Sequence, residues 1–351
     1  ATDLEDLQRY WDAFPGLKES LFEQTAGANA QLKVDDIKKT ITEHTTITGF
    51  VEGFNQAFTG FEDYLKAERL EQMETVKTAR EEAVLSEDIF RRLEPVPLID
   101  KYEAYQSLDD EWQQIVVDLE IVQTEGFAAT KVVEPNMVTK KVKGKEQEVQ
   151  EGWKGRIMPF ELVQKTYLKE ELENIANKVN RLQEITAEME EVLDSLREEE
   201  KETETVNEAK DGFVNPAVAK EAKELAAEAK KQKLKYEEDS YEAKIIKADK
   251  LIKEEKDLKK SLKDEQNALH LKTKSTIETL TDTQVYELLE LKWISPLANA
   301  IQEQPKNLIQ KLATKVQALA DKYASTYADV ARDIMETEDS LAAMIAELTG
   351  S

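Results

Sequence analysis

The chain has 351 residues, 34% of them charged, with 11 glycines, 8 prolines and no cysteine. A net charge of −25 repels phosphate and argues against nucleic-acid binding by the chain as a whole. The lack of Cys rules out disulfide and thiolate chemistry and fits a reducing cytosol.

Hydrophobic content of 40% supports real cores, and the Glu, Lys, Leu and Ala bias is that of long helices. No apolar run approaches the ~20 residues of a membrane span. The start, Ala1-Thr2-Asp3-Leu4-Glu5-Asp6, is acidic and amphipathic, unlike a signal peptide. It lacks Met, as a fragment or a processed chain would.

Residues 1–94 read as helices. Leu4, Leu7, Trp11 and Phe14 share a face that Pro15-Gly16 interrupts. Ile37, Ile41, Phe50, Phe54, Phe58, Phe61 and Leu65 keep near-helical spacing. Gly49, Gly53 and Gly60 each precede a Phe and predict tight core packing or a close helix approach. Pro95 and Pro97 break the chain. A helix over 98–122 follows, with Tyr102, Tyr105, Leu108, Trp112, Ile115, Val116 and Leu119 inward.

Residues 127–158 change to β-formers among Gly and Pro breakers. Lys143-Gly144-Lys145 predicts a hairpin tip between strands near 137–142 and 146–151. Its basic residues, Lys131, Lys140, Lys141, Lys143, Lys145, Lys154 and Arg156, are diluted by Glu134, Glu146, Glu148 and Glu151. A lysine-guarded edge and a DNA-phosphate contact through Lys140, Lys141, Lys143, Lys145, Lys154 and Arg156 both fit this pattern.

Leu168, Leu172, Ile175, Val179, Leu182, Thr186, Met189, Leu193 and Leu196 alternate steps of four and three, a coiled-coil seam. Asp211-Gly212 breaks the next stretch, and Asn215-Pro216 restarts a helix with an N-cap and an N1 proline. The pattern predicts an antiparallel arm, its first helix over 166–205 and its second within 216–272. A short apolar helix over 280–293 follows. A second heptad, Leu312, Val316, Leu319, Tyr323, Thr326, Val330, Thr337, Leu341, Met344 and Leu348, then needs a burying partner.

Catalytic signatures are absent from this pattern. His44 and His270 have no ligand-like neighbours in sequence, and there is no P-loop and no Gly-x-Gly-x-x-Gly after a strand. Asp109-Asp110-Glu111 and Glu188-Met189-Glu190-Glu191 read as solvated helix faces. Asn215-Pro216-Ala217-Val218 lacks the second proline and the aromatic of an amino-methyltransferase loop, and reads as a helix cap.

Several segments, in order, resemble the C-terminal half of the methyltransferase (M, modification) subunit of type I restriction–modification systems. They are Leu7-Gln8-Arg9-Tyr10-Trp11 with Phe14-Pro15-Gly16-Leu17-Lys18, the stretch 37–50, and Pro97-Leu98-Ile99-Asp100-Lys101-Tyr102-Glu103-Ala104-Tyr105-Gln106. Trp112, Thr124-Glu125-Gly126-Phe127, the stretch 152–159 and Lys292-Trp293-Ile294 continue the series.

The resemblance implies a cytoplasmic, non-catalytic assembly region. The S-adenosylmethionine fold and catalytic loop of the parent DNA adenine-N6 methyltransferase would lie upstream. This region itself would hold no catalytic residue, cofactor or metal. The implied partners are a specificity (S) subunit, a second M subunit, a restriction (R) subunit, and DNA through the complex, which the region would help enclose.

The expected fold is mainly α, with a β-hairpin insertion, a long antiparallel coiled-coil arm and long C-terminal helices. Its segments are 1–94, 95–165 (helix plus hairpin), 166–275 (arm) and 276–351. Leu312, Val316, Leu319, Tyr323, Val330, Leu341, Met344 and Leu348 are the expected docking residues. The alternative is a structural coiled-coil spacer or homodimer through 168–196.

Overall fold

A computed structural model describes residues 2–24, 30–142 and 145–349. The chain is mainly helical and folds as two compact units. One comprises residues 1–127 with 289–351, the other 128–288. The four predicted segments therefore regroup: both ends of the chain share one unit, and the hairpin joins the arm.

In the first unit, α1 (Thr2–Ala13) and α2 (Leu17–Leu21) are separated at Gly16, whose φ of +83° suits glycine. A short antiparallel pair, β1 (Phe22–Gln24) and β2 (Ala30–Leu32), follows where the helical pattern predicts no strand. Asp36 caps α3 (Ile37–Glu43) by accepting the Lys39 N–H at 2.8 Å. His44 opens α4 (Thr45–Ala57) as its N-cap, Nδ1 accepting from the Thr46 N–H at 3.4 Å and lying 2.7 Å from Thr46 Oγ1. After α5 (Phe61–Leu65) the helix widens into a π turn over Lys66–Leu70. Helices α6 (Thr78–Leu93) and α7 (Lys101–Glu125) then pack together, with Asp100 capping α7.

The apolar spacing of the sequence becomes this unit's core. Phe14 meets Phe50 edge-on at 5.5 Å, and Phe54 stacks on Phe58 at 4.7 Å. Two sequence expectations need correction. Tyr102 is 81% exposed rather than inward, because it sits in the first turn of α7 beside its cap. Gly49 and Gly53 lie on the exposed face of α4 with open space where a Cβ would stand, so neither packing role applies.

The second unit contains β3 (Val133–Val142) and β4 (Lys145–Gly155), antiparallel and longer than predicted. The tip residues Lys143 and Gly144 lie outside the described residues, as does the Lys145 side chain. Asn136 faces the two-residue bulge Glu151-Gly152, with Gly152 at φ +75°. The bulge turns the Trp153 N–H to donate to His270 Nε2 at 2.8 Å. The Lys274 ammonium sits 4.3 Å above the Trp153 ring, and Phe160 lies against His270 at 4.9 Å. A two-stranded ribbon alone is marginal, and this anchor supplies what it lacks. His270 is thereby a structural acceptor.

Next come α8 (Phe160–Tyr167), α9 (Lys169–Asp194), α10 (Asn215–Gln232), α11 (Tyr241–Glu278) and α12 (Asp282–Leu289). Helices α9 and α11 form the expected antiparallel arm, although the first helix runs only over Lys169–Asp194 rather than to 205. Glu171 pairs with Lys272, Lys178 with Glu265, and Arg181 with Glu254 at 2.7 Å. Ascending α9 thus means descending α11.

The predicted second arm helix is in fact two helices, α10 and α11. Helix α10 ends at Lys233 in a left-handed conformation, and Ser240 caps α11. Asn215 is the first helical residue of α10, and the N-cap position is Val214, one before the expected cap and without a side-chain cap bond. Helix α10 covers only the distal arm, where Ile185, Val192, Val218, Ala222, Ile245, Ala248 and Leu251 share a core. Nearer the base, Leu172, Ile175, Val179 and Leu182 are half-buried against a single helix.

The chain returns to the first unit through a π turn, Glu290–Ile294, then α13 (Ser295–Gln302) and α14 (Gln304–Thr349). The carboxylate of the buried Asp118 on α7 accepts from the Trp293 indole N–H at 2.8 Å and from the Lys292 ammonium. Helix α13 packs on α7, and α14 packs on α1 and α3.

Candidate docking interface

Helix α14 spans 46 residues, ~70 Å at 1.5 Å per residue. Its first half belongs to the core: Leu308, Ile309, Leu312, Ala313 and Val316 are buried, Leu312 and Val316 at 0% exposure. This corrects the expected docking seam. Leu312 and Val316 already have their partner in the chain's own helices, so they cannot meet another protein without unfolding. Leu319, half-buried, marks the edge of that core. The side chains of Tyr323, Thr326 and Leu348 lie outside the described residues.

From residue 330 on, the large apolar side chains among the described residues are open. Val330 is 51% exposed, Ile334 53%, Leu341 57% and Met344 60%. The heptad also changes phase along this helix. Steps of four and three hold from 312 to 330, but 326, 330 and 334 are separated by two successive fours. Such a stutter rotates the seam around the helix. Of the first register, Leu312 and Val316 face the core. The second, with Ile334, Leu341 and Leu348 at a and Val330, Thr337 and Met344 at d, has its own direction. Met335 and Ile345, 65% and 52% exposed, flank this row, and a cluster of exposed apolar side chains on one helix marks an interaction surface.

The hairpin, the other candidate, is largely occupied with itself. Lys140 pairs with Glu151 at 2.8 Å, and Lys154 and Arg156 share Glu134 at 3.3 and 3.1 Å. Lys131 is engaged by Asp282 at 2.7 Å. Lys141 is exposed and stands opposite Glu146 across the ribbon. Alternating charges set lysines against glutamates on neighbouring positions, which lowers the field that phosphate would meet. These exposed pairs are individually weak, so they dilute the patch rather than lock it.

Among the described residues, no group of three or more His, Asp or Glu is placed to hold a metal ion. No described helix is long and apolar enough to cross a membrane. The seam over 168–196 meets α10 and α11 of its own unit, and so does not need a second copy. No family model matches the chain, and neither a curated protein nor a solved structure matches it.

Proposed function

We propose that this chain is the non-catalytic C-terminal assembly region of a type I restriction–modification methyltransferase subunit. In this reading it docks the specificity subunit through the last five turns of α14. The observation that carries the proposal is the row Val330, Ile334, Leu341 and Met344, about half exposed on a helix whose earlier turns are core. The order of family-like segments along the sequence supplies the partner's name.

Burying the exposed half of four such side chains, at roughly half of 1.5–3 kcal/mol each, gives a gross term of about 3–6 kcal/mol before ordering costs. The hairpin lysines play a secondary part, since Glu134 and Glu151 compete with phosphate for them.

The test is co-purification of the full chain with its cognate specificity subunit. Ile334→Asp with Leu341→Asp abolishes the complex while leaving the fold intact, as both positions are exposed. Complex formation undiminished by the double substitution overturns the proposal. The spacer or homodimer alternative predicts instead a dimer of the isolated chain in light scattering.

A further inference from the structure

The charges beside the open seam say what kind of helix it accepts. With Ile334, Leu341 and Leu348 at a, the flanking g positions are Asp333, Ser340 and Glu347, and the e positions are Ala331, Glu338 and Ile345. Three of the six are acidic and none is basic. Residues at e and g face their counterparts on a paired helix and set partner choice and orientation.

Against a second copy of α14, a parallel pairing places Asp333 opposite Glu338. An antiparallel pairing places g against g, acid against acid. Either arrangement brings like charges together at an apolar seam, where repulsion is least screened. The chain's net charge of −25 adds long-range repulsion between copies.

From this charge complementarity we infer that the seam of residues 330–348 receives one amphipathic helix of a different protein, with an apolar stripe flanked by Lys or Arg, and rejects a second copy of itself. The inference rests on the docking reading above and adds the chemistry of the partner. The acidic flanks attract the basic helix and fix its register, and the apolar row supplies the contact area. Self-association is blocked by the same carboxylates that draw the partner in.

Two synthetic three-heptad peptides with the same Leu and Val seam test this on the full chain, one with Lys at every e and g and one with Glu. The Lys peptide binds about tenfold tighter at low salt, the sum of a few ion pairs, and the preference shrinks as salt rises. Asp333→Lys with Glu338→Lys reverses the preference, with helical content unchanged by circular dichroism. Ile334→Asp with Leu341→Asp, which makes the chain more acidic, loses the Lys peptide. Sedimentation velocity finds the wild-type chain monomeric.

Equal binding of both peptides overturns the inference. So does retention of the Lys peptide by the Asp variants, which reports only a general acidic field, and so does a dimer that Ile334→Asp dissociates. The two claims fail separately. If the specificity subunit is lost with the Asp variants but indifferent to the charge reversal, docking stands and the charge rule falls. If the peptide preference reverses but the specificity subunit never binds, the charge rule stands and the identity of the partner falls.

Discussion

Replacing Asp118 tests how α7 holds the segment that leads into the docking helix. Its carboxylate is 6% exposed and accepts from the Trp293 indole N–H and from Lys292 in the π turn before α13. Asp118→Ala leaves a buried indole N–H without an acceptor, which costs about 1–3 kcal/mol. Lys292 is 23% exposed and can rehydrate, so its lost bond adds only about 0.5–1 kcal/mol. The expected total is about 2–4 kcal/mol. Asp118→Asn keeps one acceptor for the indole and loses the charge, for about half of that. Urea titration of the full chain, followed by the Trp293 indole N–H resonance, measures both. A loss in Asp118→Ala below about 0.5 kcal/mol, or equal losses in the two variants, refutes the assignment.

Three further outcomes follow from the second unit. A Cβ on Gly155 would stand 1.9 Å from the Met158 carbonyl oxygen, and one on Gly152 would meet His270 Nε2 at 2.6 Å from a backbone at φ +75°. Gly155→Ala is thus expected to open the hairpin base, read as faster hydrogen exchange over residues 133–155, and native-like protection contradicts it. Hydrogen bonds from Lys272, Arg181 and Lys178 hold Glu171, Glu254 and Glu265 below the ordinary carboxylate value. A depressed folded-state value means stabilisation that is present above the unfolded value of 4.5 and lost as pH falls through the folded values. As pH falls below 4.5 the wild-type arm should therefore lose more stability than a Glu171→Gln, Glu254→Gln, Glu265→Gln variant. Equal loss removes the ion-pair ladder from the account. For the hairpin, the full chain leaves duplex DNA unshifted at physiological salt, and Glu134→Gln raises affinity at low salt by less than about threefold. Tight binding abolished by Lys140→Ala with Lys154→Ala would restore the lysines to a leading role.

The arm was legible from two signals together: the heptad from Leu168 to Leu196 needed a mate, and the break at Asp211-Gly212 before a second helical run offered one in the same chain, which is α11. The interruption between α10 and α11 was not legible. Lys233 closes α10 at φ +53°, a conformation that glycine usually signals, and no Gly or Pro occurs from 231 to 240. Ser240 as an N-cap was the one local clue, its Oγ accepting from the Ala243 N–H at 3.2 Å. Asp118 was hidden for a different reason. It reads as one more acid on a charged helix, and its partners lie more than 170 residues away.

The docking seam shows the limit of periodicity. Spacing alone joined Leu312 to Leu348 in one row, but it cannot say which residues already have a partner. Packing on α1 and α3 takes Leu312 and Val316 for the chain's own core. The two successive fours at 326, 330 and 334 carried the division in the sequence, and they acquire meaning only once the core is seen to end nearby.

Hydrogen exchange on α14, with and without the cognate specificity subunit, locates the docked surface. New protection is expected only over residues 330–348, with 308–316 already slow in the free chain and unchanged. Protection at the hairpin or the arm instead, or none over 330–348, would contradict docking there.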